Sequence, residues 1–445
     1  CLHRNMTVWI RDDNGEVRMP TIEQLWNEQS TKIHEVNGQK ERKPDGDLEV
    51  WGEDGWIKAQ TIMRHPQEEN TEMTLTRTQE GAFIISQDNH PHMAKDNKYV
   101  CPKCGKALKC KSCETKMDNW YCRDGCVTKV DVSNDEPYNK VEPQEMDDRT
   151  HRGKIVDKPE PSDAEPPVEN GWLAGMFVAE GSVRHVKEHW KPTDTTNIHP
   201  RSVQWSQSKQ NEQLRSRLIS AIENEHGKVH FAGDDGKSIT LDSTETAKLY
   251  NDFFNRYSEN KGAPDNFAGY DEEWLCGFVA GVLDGDGTIK ETKGYKQINL
   301  NTTSPLLVQQ MLVIGRILNV PVRFRLTTNR ALTRNQGYVL TVELVSEASK
   351  IIRRTNRFNH LETKEDRYPK SLHPDVIDYV RSVYTESTPT VYDIETEKGT
   401  LAVNNMWTHN STGEVDKTEP SFERFQELVQ LKTPQIKASI AKGNP

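Results

Sequence analysis

Leu173-Ala174-Gly175-Met176-Phe177-Val178-Ala179-Glu180-Gly181 returns 106 residues later as Val279-Ala280-Gly281-Val282-Leu283-Asp284-Gly285-Asp286-Gly287. Each stretch is apolar and studded with small residues. Each ends on an acidic side chain followed by glycine. One such stretch alone would be a buried Gly/Ala-rich helix. Two copies, each followed by the same downstream pattern, are an internal duplication. In the first copy Trp172–Ala179 reads as helix, 202–206 as strand, Asn211–Glu225 as helix, 238–241 as strand and Thr244–Phe254 as helix. In the second, Trp274–Leu283 is helix, 297–301 strand, Pro305–Leu318 helix, Tyr338–Leu344 strand and Ser346–Arg354 helix. The periodicity within each helix is 3.6, as at Leu214, Leu218 and Ile222.

Working outward, the bulk numbers bound the partners. The chain has 445 residues, enough for two or three domains, and a mean hydropathy of −0.84. No apolar run reaches membrane-spanning length and no signal peptide precedes Cys1, so an intracellular, cytoplasmic protein with no membrane partner is expected. The net charge of −10 argues against a generic nucleic-acid binder. Its distribution argues otherwise. Thr288–Lys370 holds 15 Lys/Arg against 6 Asp/Glu, whereas Val127–Asn170 holds 12 Asp/Glu against 6 Lys/Arg. The basic stretch suits a phosphate-binding face, with Lys209, Arg323, Arg325, Arg330 and Arg334 as candidate contacts.

The flanks are different. Residues 1–98 alternate apolar and polar positions between Gly/Asn/Asp turns, as at Thr7-Val8-Trp9-Ile10 and Gly81-Ala82-Phe83-Ile84-Ile85, and read as all-β with one short helix near Pro20–Trp26. Residues 390–404 are again short β segments. Six of the eight cysteines (Cys101, Cys104, Cys110, Cys113, Cys122 and Cys126) crowd into 26 residues. Paired CxxC spacing without a secretion signal reads as Zn²⁺ ligation before disulfides. Four thiolates suffice for one ion. Cys101, Cys104, Cys122 and Cys126 are the first choice, with Cys110 and Cys113 as the other second pair. Residues 127–170, with six prolines and the acidic run, read as a linker.

The chain begins Cys1-Leu2-His3…Thr7-Val8, and near its far end reads Trp407-Thr408-His409-Asn410-Ser411. Between them lie Ile84-Ile85-Ser86-Gln87-Asp88-Asn89-His90-Pro91 and Val391-Tyr392-Asp393-Ile394. In this order the four segments resemble the opening, second, penultimate and closing blocks of inteins. The two central repeats resemble LAGLIDADG homing endonucleases, and Cys101-Pro-Lys-Cys104-Gly resembles a zinc knuckle. The intein resemblance implies an all-β, horseshoe-shaped Hint-type splicing domain. It also implies roles. Cys1 forms a thioester with the preceding residue, and His90 protonates the leaving amide. Asp393 assists proton transfer, His409 polarises the last amide, Asn410 cyclises, and Ser411 is the second nucleophile. Two slots depart from the family pattern: Gln87 stands where a Thr is usual, and Gly399 where a His is common.

The LAGLIDADG resemblance implies a pseudo-twofold αββαββα domain of α+β class. Its two motif helices pack together, and Glu180 and Asp286 bind Mg²⁺ against double-stranded DNA, with Lys261 as a basic neighbour. The resulting organisation is multidomain. Residues 1–98 and 373–410 form the discontinuous splicing domain, 99–128 a zinc-ribbon-like insert, 129–170 the linker, 171–372 the endonuclease, and 411–445 a flank of the host protein. Flanking exteins in cis and a monomer are expected. The flank, ending Lys442-Gly443-Asn444-Pro445, reads as cut short. With nothing before Cys1, cleavage at Asn410–Ser411 is the step expected to stay open to the chain as written. Two alternatives stand beside this reading: an intein whose endonuclease has decayed to a structural insert, and a Hedgehog-type autoprocessing domain. The second accounts for Cys1 but has no use for a terminal Asn.

Overall fold

The computed structural model describes residues 1–36, 38–66, 73–79, 81–87, 89–96, 109–110, 120–121, 137–146, 151–188, 197–232, 237–254, 260–292, 295–327, 336–364, 377–383 and 390–409. Cys1–Asn410 form one compact unit. Asn410 itself and residues 411–445 lie outside the described residues.

This unit is mostly β. Its main sheet has eleven antiparallel strands. At the centre, the two-residue strand Leu2–His3 lies between Phe83–Gln87 and Thr390–Thr396, with Leu2 opposite Ser86 on one side and Tyr392 on the other. The start of the chain and residues almost 400 positions later are therefore hydrogen-bonded neighbours. The twelve-residue strand Gly55–Pro66 pairs with Glu49–Gly52 at one end and with Gln39–Arg42 at the other, and runs along Thr390–Thr396 from Ala59 to Pro66. One long strand serving several short ones curls the sheet. A bulge between Glu395 and Thr396 adds to the bend. The alternation read in the sequence fills the inside of this curl: Leu2, Val8, Ile10, Val50, Ile62, Leu75, Ile84, Val391 and Ile394 are all fully buried. The first helix, α1 (Ile22–Glu28), is capped by Thr21 in a reciprocal capping box with Gln24.

A second sheet of five strands gathers around His92–Asp96. It pairs with Asn139–Val141, His151–Gly153 and Met406–His409, and the last of these pairs with Thr400–Val403. Within the acidic, proline-rich stretch, residues 154–170 follow a fixed course. The Asp157 carbonyl accepts from Trp51 Nε1 at 2.7 Å, Ser162 Oγ from the Val17 N–H at 2.9 Å, and the Val168 carbonyl from Trp274 Nε1 at 2.9 Å. Of the cysteine cluster, only the backbone of Lys109–Cys110, paired with Trp120–Tyr121, is described. The side chains expected to bind zinc lie outside the described residues.

The duplication is visible in the middle of the chain. Helix α2 (Gly171–Glu180) leads into a four-stranded sheet, followed by α3 (Glu212–Glu225) and α4 (Thr244–Phe254). Helix α5 (Glu272–Asp286) leads into a second four-stranded sheet with α6 (Pro305–Ile317) and α7 (Ser349–Ile352). Both sheets have the same strand order: the first repeat runs Gly181–Glu188, Asn197–Ser206, Ser238–Leu241, His230–Ala232, and the second Gly287–Thr292, Tyr295–Thr302, Tyr338–Glu343, Val322–Leu326. Helices α2 and α5 start at side-chain caps, Asn170 on the Leu173 N–H and Asp271 on the Trp274 N–H. Both stop at glycine, Gly181 and Gly287. Among the described residues no helix is long and apolar enough to cross a membrane.

Candidate functional site

Two clusters collect the candidate side chains. The first is where the start of the chain meets residues 390–409. Cys1 is half-buried, and its carbonyl accepts from the Gln87 N–H at 3.0 Å. Gln87 thus contributes its backbone at the slot where a Thr side chain was looked for. A turn closed by the His90 N–H on the Gln87 carbonyl, at 3.0 Å, brings His90 under the sheet, where it is fully buried. Its Nδ1 is 4.0 Å from Asp393 Oδ2 and makes no hydrogen bond among the described residues. Its Nε2 is 3.0 Å from Thr408 Oγ1. Asp393, also fully buried, accepts from the Ile394 N–H at 2.9 Å.

The geometry adds residues that the sequence did not single out. His92 Nδ1 is 3.3 Å from the same Thr408 hydroxyl, and its Nε2 is 3.4 Å from Ser86 Oγ. Thr408 Oγ1 in turn lies 2.9 Å from the Pro91 carbonyl. His65 sits on the strand facing Val391, and Asp393 acts on it. The signal for His92 was present, because His90-Pro91-His92 is a one-residue alternation. His65 had no local signal, since only the long-range pairing of Gly55–Pro66 brings it in.

Burial dominates the electrostatics here. It pushes the His90 imidazole well below its ordinary value, with the Cys1 amine, His92 and His409 adding to the push. Burial takes His92 down to about 3, aided by the Cys1 amine. Burial also lowers the Cys1 α-amine to about 6, against the pull of Asp393. All of these are neutral at pH 7. His409 follows on the same strand, its N–H on the Pro91 carbonyl at 3.2 Å. Gly399 lies one residue beyond the Thr400–His409 pair, in a turn at φ 69°, where a histidine side chain would be strained.

The second cluster lies at the ends of α2 and α5. These helices approach so closely that a Cβ at Gly175 would overlap the Phe278 carbonyl oxygen, and one at Gly281 the Trp172 carbonyl oxygen. The two glycines are related by the repeat, so the contact is a local twofold. It brings both terminal carboxylates, Glu180 and Asp286, to the same end. Glu180 is half-buried. Burial raises it to about 7, and the neighbouring Asp286 pushes the same way. Asp286 is raised to about 6, chiefly by burial, with Lys261 and Arg357 opposing. By surface area Asp286 is exposed, so the solvent on its open side tempers that rise.

Lys261 is not a surface residue. It is 7% exposed, its Nζ donates to the Gly181 and Phe177 carbonyls, and burial lowers it to about 8 against the pull of both carboxylates. Its loop is fixed from α6: Ser304 Oγ donates to the Lys261 carbonyl at 2.7 Å, and Gln310 exchanges two 2.8 Å bonds with the backbone of Ala263. Arg357 donates to the Asp284 and Gly285 carbonyls at 2.9 and 3.0 Å, closing the end of α5. Among the described residues no group of three or more His, Cys, Asp or Glu side chains is placed to hold a metal ion. Beyond it, the exposed faces of both sheets carry polar side chains. Arg323 and Arg325 are exposed on Val322–Leu326, and Lys209 is exposed on a turn. Arg330 and Arg334 lie outside the described residues.

No protein-family profile matches the chain, and no curated protein does. Solved structures do, at low similarity. Variants of the homing endonuclease I-DmoI are 16% identical over 41% of this chain and 86% of theirs, at a TM-score of 0.30. The LAGLIDADG homing endonuclease I-GzeII, solved with a DNA target, is 12% identical over 44% of this chain and 85% of its own, at 0.26. The Pab PolII intein is 10% identical over 44% of this chain and 80% of its own, at 0.24. At TM-scores this low, function has to be read from the chain's own residues.

Proposed function

We propose that the chain is a self-splicing intein carrying a site-specific, divalent-metal-dependent DNA endonuclease of the LAGLIDADG type. The observation that carries the splicing half is the convergence of Cys1, His90, Asp393 and the Thr408–His409 strand. The start of the chain, residue 90 and residues 393–409, three stretches far apart in sequence, meet at one buried imidazole. In the first step the Cys1 sulfur attacks the preceding carbonyl carbon and the C–N bond to Cys1 breaks. The thiol proton ends on the Cys1 nitrogen, so that an amide becomes a thioester plus an amine. The bare Nδ1 of His90 suits that transfer, because it can take the proton and return it to the leaving nitrogen. Asp393, 4.0 Å away, stabilises the imidazolium formed between the two events. The released amine, held to about 6, stays neutral and leaves the step reversible. Ser411 Oγ then takes the acyl group and the Cys1 thiol is released. The Asn410 side-chain nitrogen attacks its own main-chain carbonyl carbon, polarised by His409, and the Asn410–Ser411 bond breaks. The freed Ser411 amine takes the acyl group from its own oxygen, leaving a peptide bond and the hydroxyl.

The nuclease half rests on Glu180 and Asp286, a like-charged pair at the end of the helix twofold. Partly dehydrated carboxylates, with Asp286 raising the proton affinity of Glu180, fit a hard divalent cation such as Mg²⁺, whose remaining ligands would be water and DNA phosphate. When bound, the cation supplies Lewis-acid activation and stabilises the leaving oxygen. The chain holds the ion through Glu180 and Asp286, keeps Lys261 charged beside the phosphate, and offers Arg323, Arg325 and Lys209 to duplex DNA. For the cysteine cluster we keep one Zn²⁺ on four of the six thiolates, on spacing alone. Exteins in cis and a monomeric state complete the proposal.

The test is intact-mass analysis of the chain expressed between a tagged N-terminal flank and its own Ser411–Pro445 flank, beside an Asn410→Ala copy. Joined flanks plus a free Cys1–Asn410 species, with joining lost in the Ala copy, is the expected result. An unprocessed precursor in both would overturn it.

A further inference from the structure

Thr408 Oγ1 has three neighbours within hydrogen-bond distance: the Pro91 carbonyl at 2.9 Å, His90 Nε2 at 3.0 Å and His92 Nδ1 at 3.3 Å. A hydroxyl has one proton to give and two lone pairs with which to accept. The Pro91 oxygen can only accept. If the hydroxyl proton goes to either imidazole, a 2.9 Å oxygen–oxygen contact is left with no hydrogen in it. If it goes to Pro91, both imidazoles donate to the hydroxyl, and every contact is a hydrogen bond. His92 then carries its proton on Nδ1 and has its Nε2 lone pair toward the Ser86 hydroxyl at 3.4 Å, whose proton is shared with the Gln87 carbonyl at 3.2 Å. Both rings stay neutral, in keeping with their full burial. His90 is left with its proton on Nε2 and a lone pair on Nδ1.

We propose that Thr408 is a positioning residue for the first splicing step: its hydroxyl locks His90 in the Nε2–H tautomer and so keeps Nδ1 free, toward Asp393, to receive a proton. This goes beyond the splicing reading and rests on it. The lock comes from the strand that leads directly into His409 and Asn410, so the C-terminal junction sets the base used at the N-terminal one. Three side chains act on the His90 ring from the surrounding elements, Asp393, His92 and His409, while the Cys1 nitrogen is an uncharged amide before the step. Asp393 is the acceptor among them. Without the hydroxyl, its carboxylate draws the ring proton to Nδ1 and the lone pair turns away from the reaction.

The experiment compares the chain with Thr408→Val and Thr408→Ser, each with an N-terminal flank and in the Asn410→Ala background. Long-range ¹H–¹⁵N spectra of histidine-labelled protein read the tautomer. Thiol-induced release of the N-terminal flank reads the step. The parent and the Ser variant should show His90 protonated on Nε2. The Val variant should show it on Nδ1, with release slowed about tenfold to a hundredfold. The Ser variant should stay within about threefold of the parent, because it keeps the hydroxyl that matters. If Val does not fold, Thr408→Ala removes the same hydroxyl with less bulk. An unchanged His90 tautomer in the hydroxyl-free variant overturns the proposal, as does a Ser variant as slow as Val. If the parent releases no flank with thiol, the splicing reading fails, while the tautomer comparison still decides the lock.

Discussion

The Gln309 side-chain oxygen accepts two hydrogen bonds from Thr7, one from its backbone N–H at 2.9 Å and one from its hydroxyl at 3.0 Å. The Gln309 amide nitrogen donates to the Asn5 carbonyl at 2.7 Å. The next residue on α6, Gln310, holds the loop that carries Lys261. Adjacent side chains of one helix therefore clamp the segment behind Cys1 and the loop beside the carboxylate pair. Both glutamines are buried, so each unmade bond would cost its full desolvation. Gln309→Leu should lower stability by about 2–4 kcal/mol, measured by urea unfolding. Amide exchange at Thr7 should accelerate more than at Ile84 in the same sheet. A loss under about 1 kcal/mol would mean that water replaces the glutamine there.

The helix twofold offers a sharper test, because backbone cannot step aside as a side chain can. Gly175→Ala and Gly281→Ala each drive a methyl group into a carbonyl oxygen of the facing helix. Either should cost more than about 3 kcal/mol, and both together should separate the helices. Gly227→Ala is the control: it has open space around it, and only its φ of 104° stands against a side chain. It should cost roughly 1 kcal/mol. Comparable effects at all three sites would mean that α2 and α5 have room to part.

How much of this was legible in sequence follows from the range of each interaction. The motif helices, their glycine stops and the repeat were readable, because small residues, caps and periodicity are local. Thr244–Phe254 is helical over the residues read. The α5 reading, Trp274–Leu283, fell short by two residues at the start and three at the end, because Asp271 caps from before the apolar run. The strand Gly55–Pro66 was not readable at its full length, since its partners lie at three separate places in the chain. Lys261 entered only through the LAGLIDADG resemblance, as a basic neighbour of the carboxylates. Its burial against the Gly181 carbonyl is a tertiary fact that no local pattern carries. Thr408 carried no signal, because its importance lies in which two imidazoles it separates.

Asp284 was legible only as a motif position, yet it is fully buried and staples both repeats together. It accepts from Trp172 Nε1 on α2 at 2.8 Å, from the Asn356 N–H at 2.6 Å and from the Arg357 N–H at 2.8 Å. The corresponding position of the first repeat is Val178, so this staple has no copy. Asp284→Ala strands the buried Trp172 donor and two half-buried backbone donors and should cost about 3–5 kcal/mol. Asp284→Asn keeps one acceptor oxygen and should cost roughly half as much. Guanidinium unfolding of both variants checks the order. Equal losses would assign the cost to packing and not to the hydrogen bonds.

The raised carboxyls at Glu180 and Asp286 fix a pH dependence and its sign. Glu180 moves from 4.5 to about 7 on folding, and Asp286 from 3.8 to about 6. Between those limits the folded protein holds protons that the unfolded chain has released, so metal-free stability must fall as pH rises through this window. Glu180→Gln cannot ionise and should flatten the fall, leaving the variant more stable than the parent near pH 8 and little changed near pH 5. Mg²⁺ requires both carboxylates ionised, so its affinity and its stabilising effect should grow over the same range. Lys261, at about 8, loses its charge above that range. Nicking of duplex DNA carrying the insertion site should therefore rise through about pH 7 and fall again beyond about 8, a bell bounded by Glu180 and Lys261. Lys261→Met should remove the alkaline limb while lowering the maximum rate. If melting temperature in the absence of metal is flat from pH 5 to 8 in the parent, burial does not raise the two carboxyls as the geometry requires.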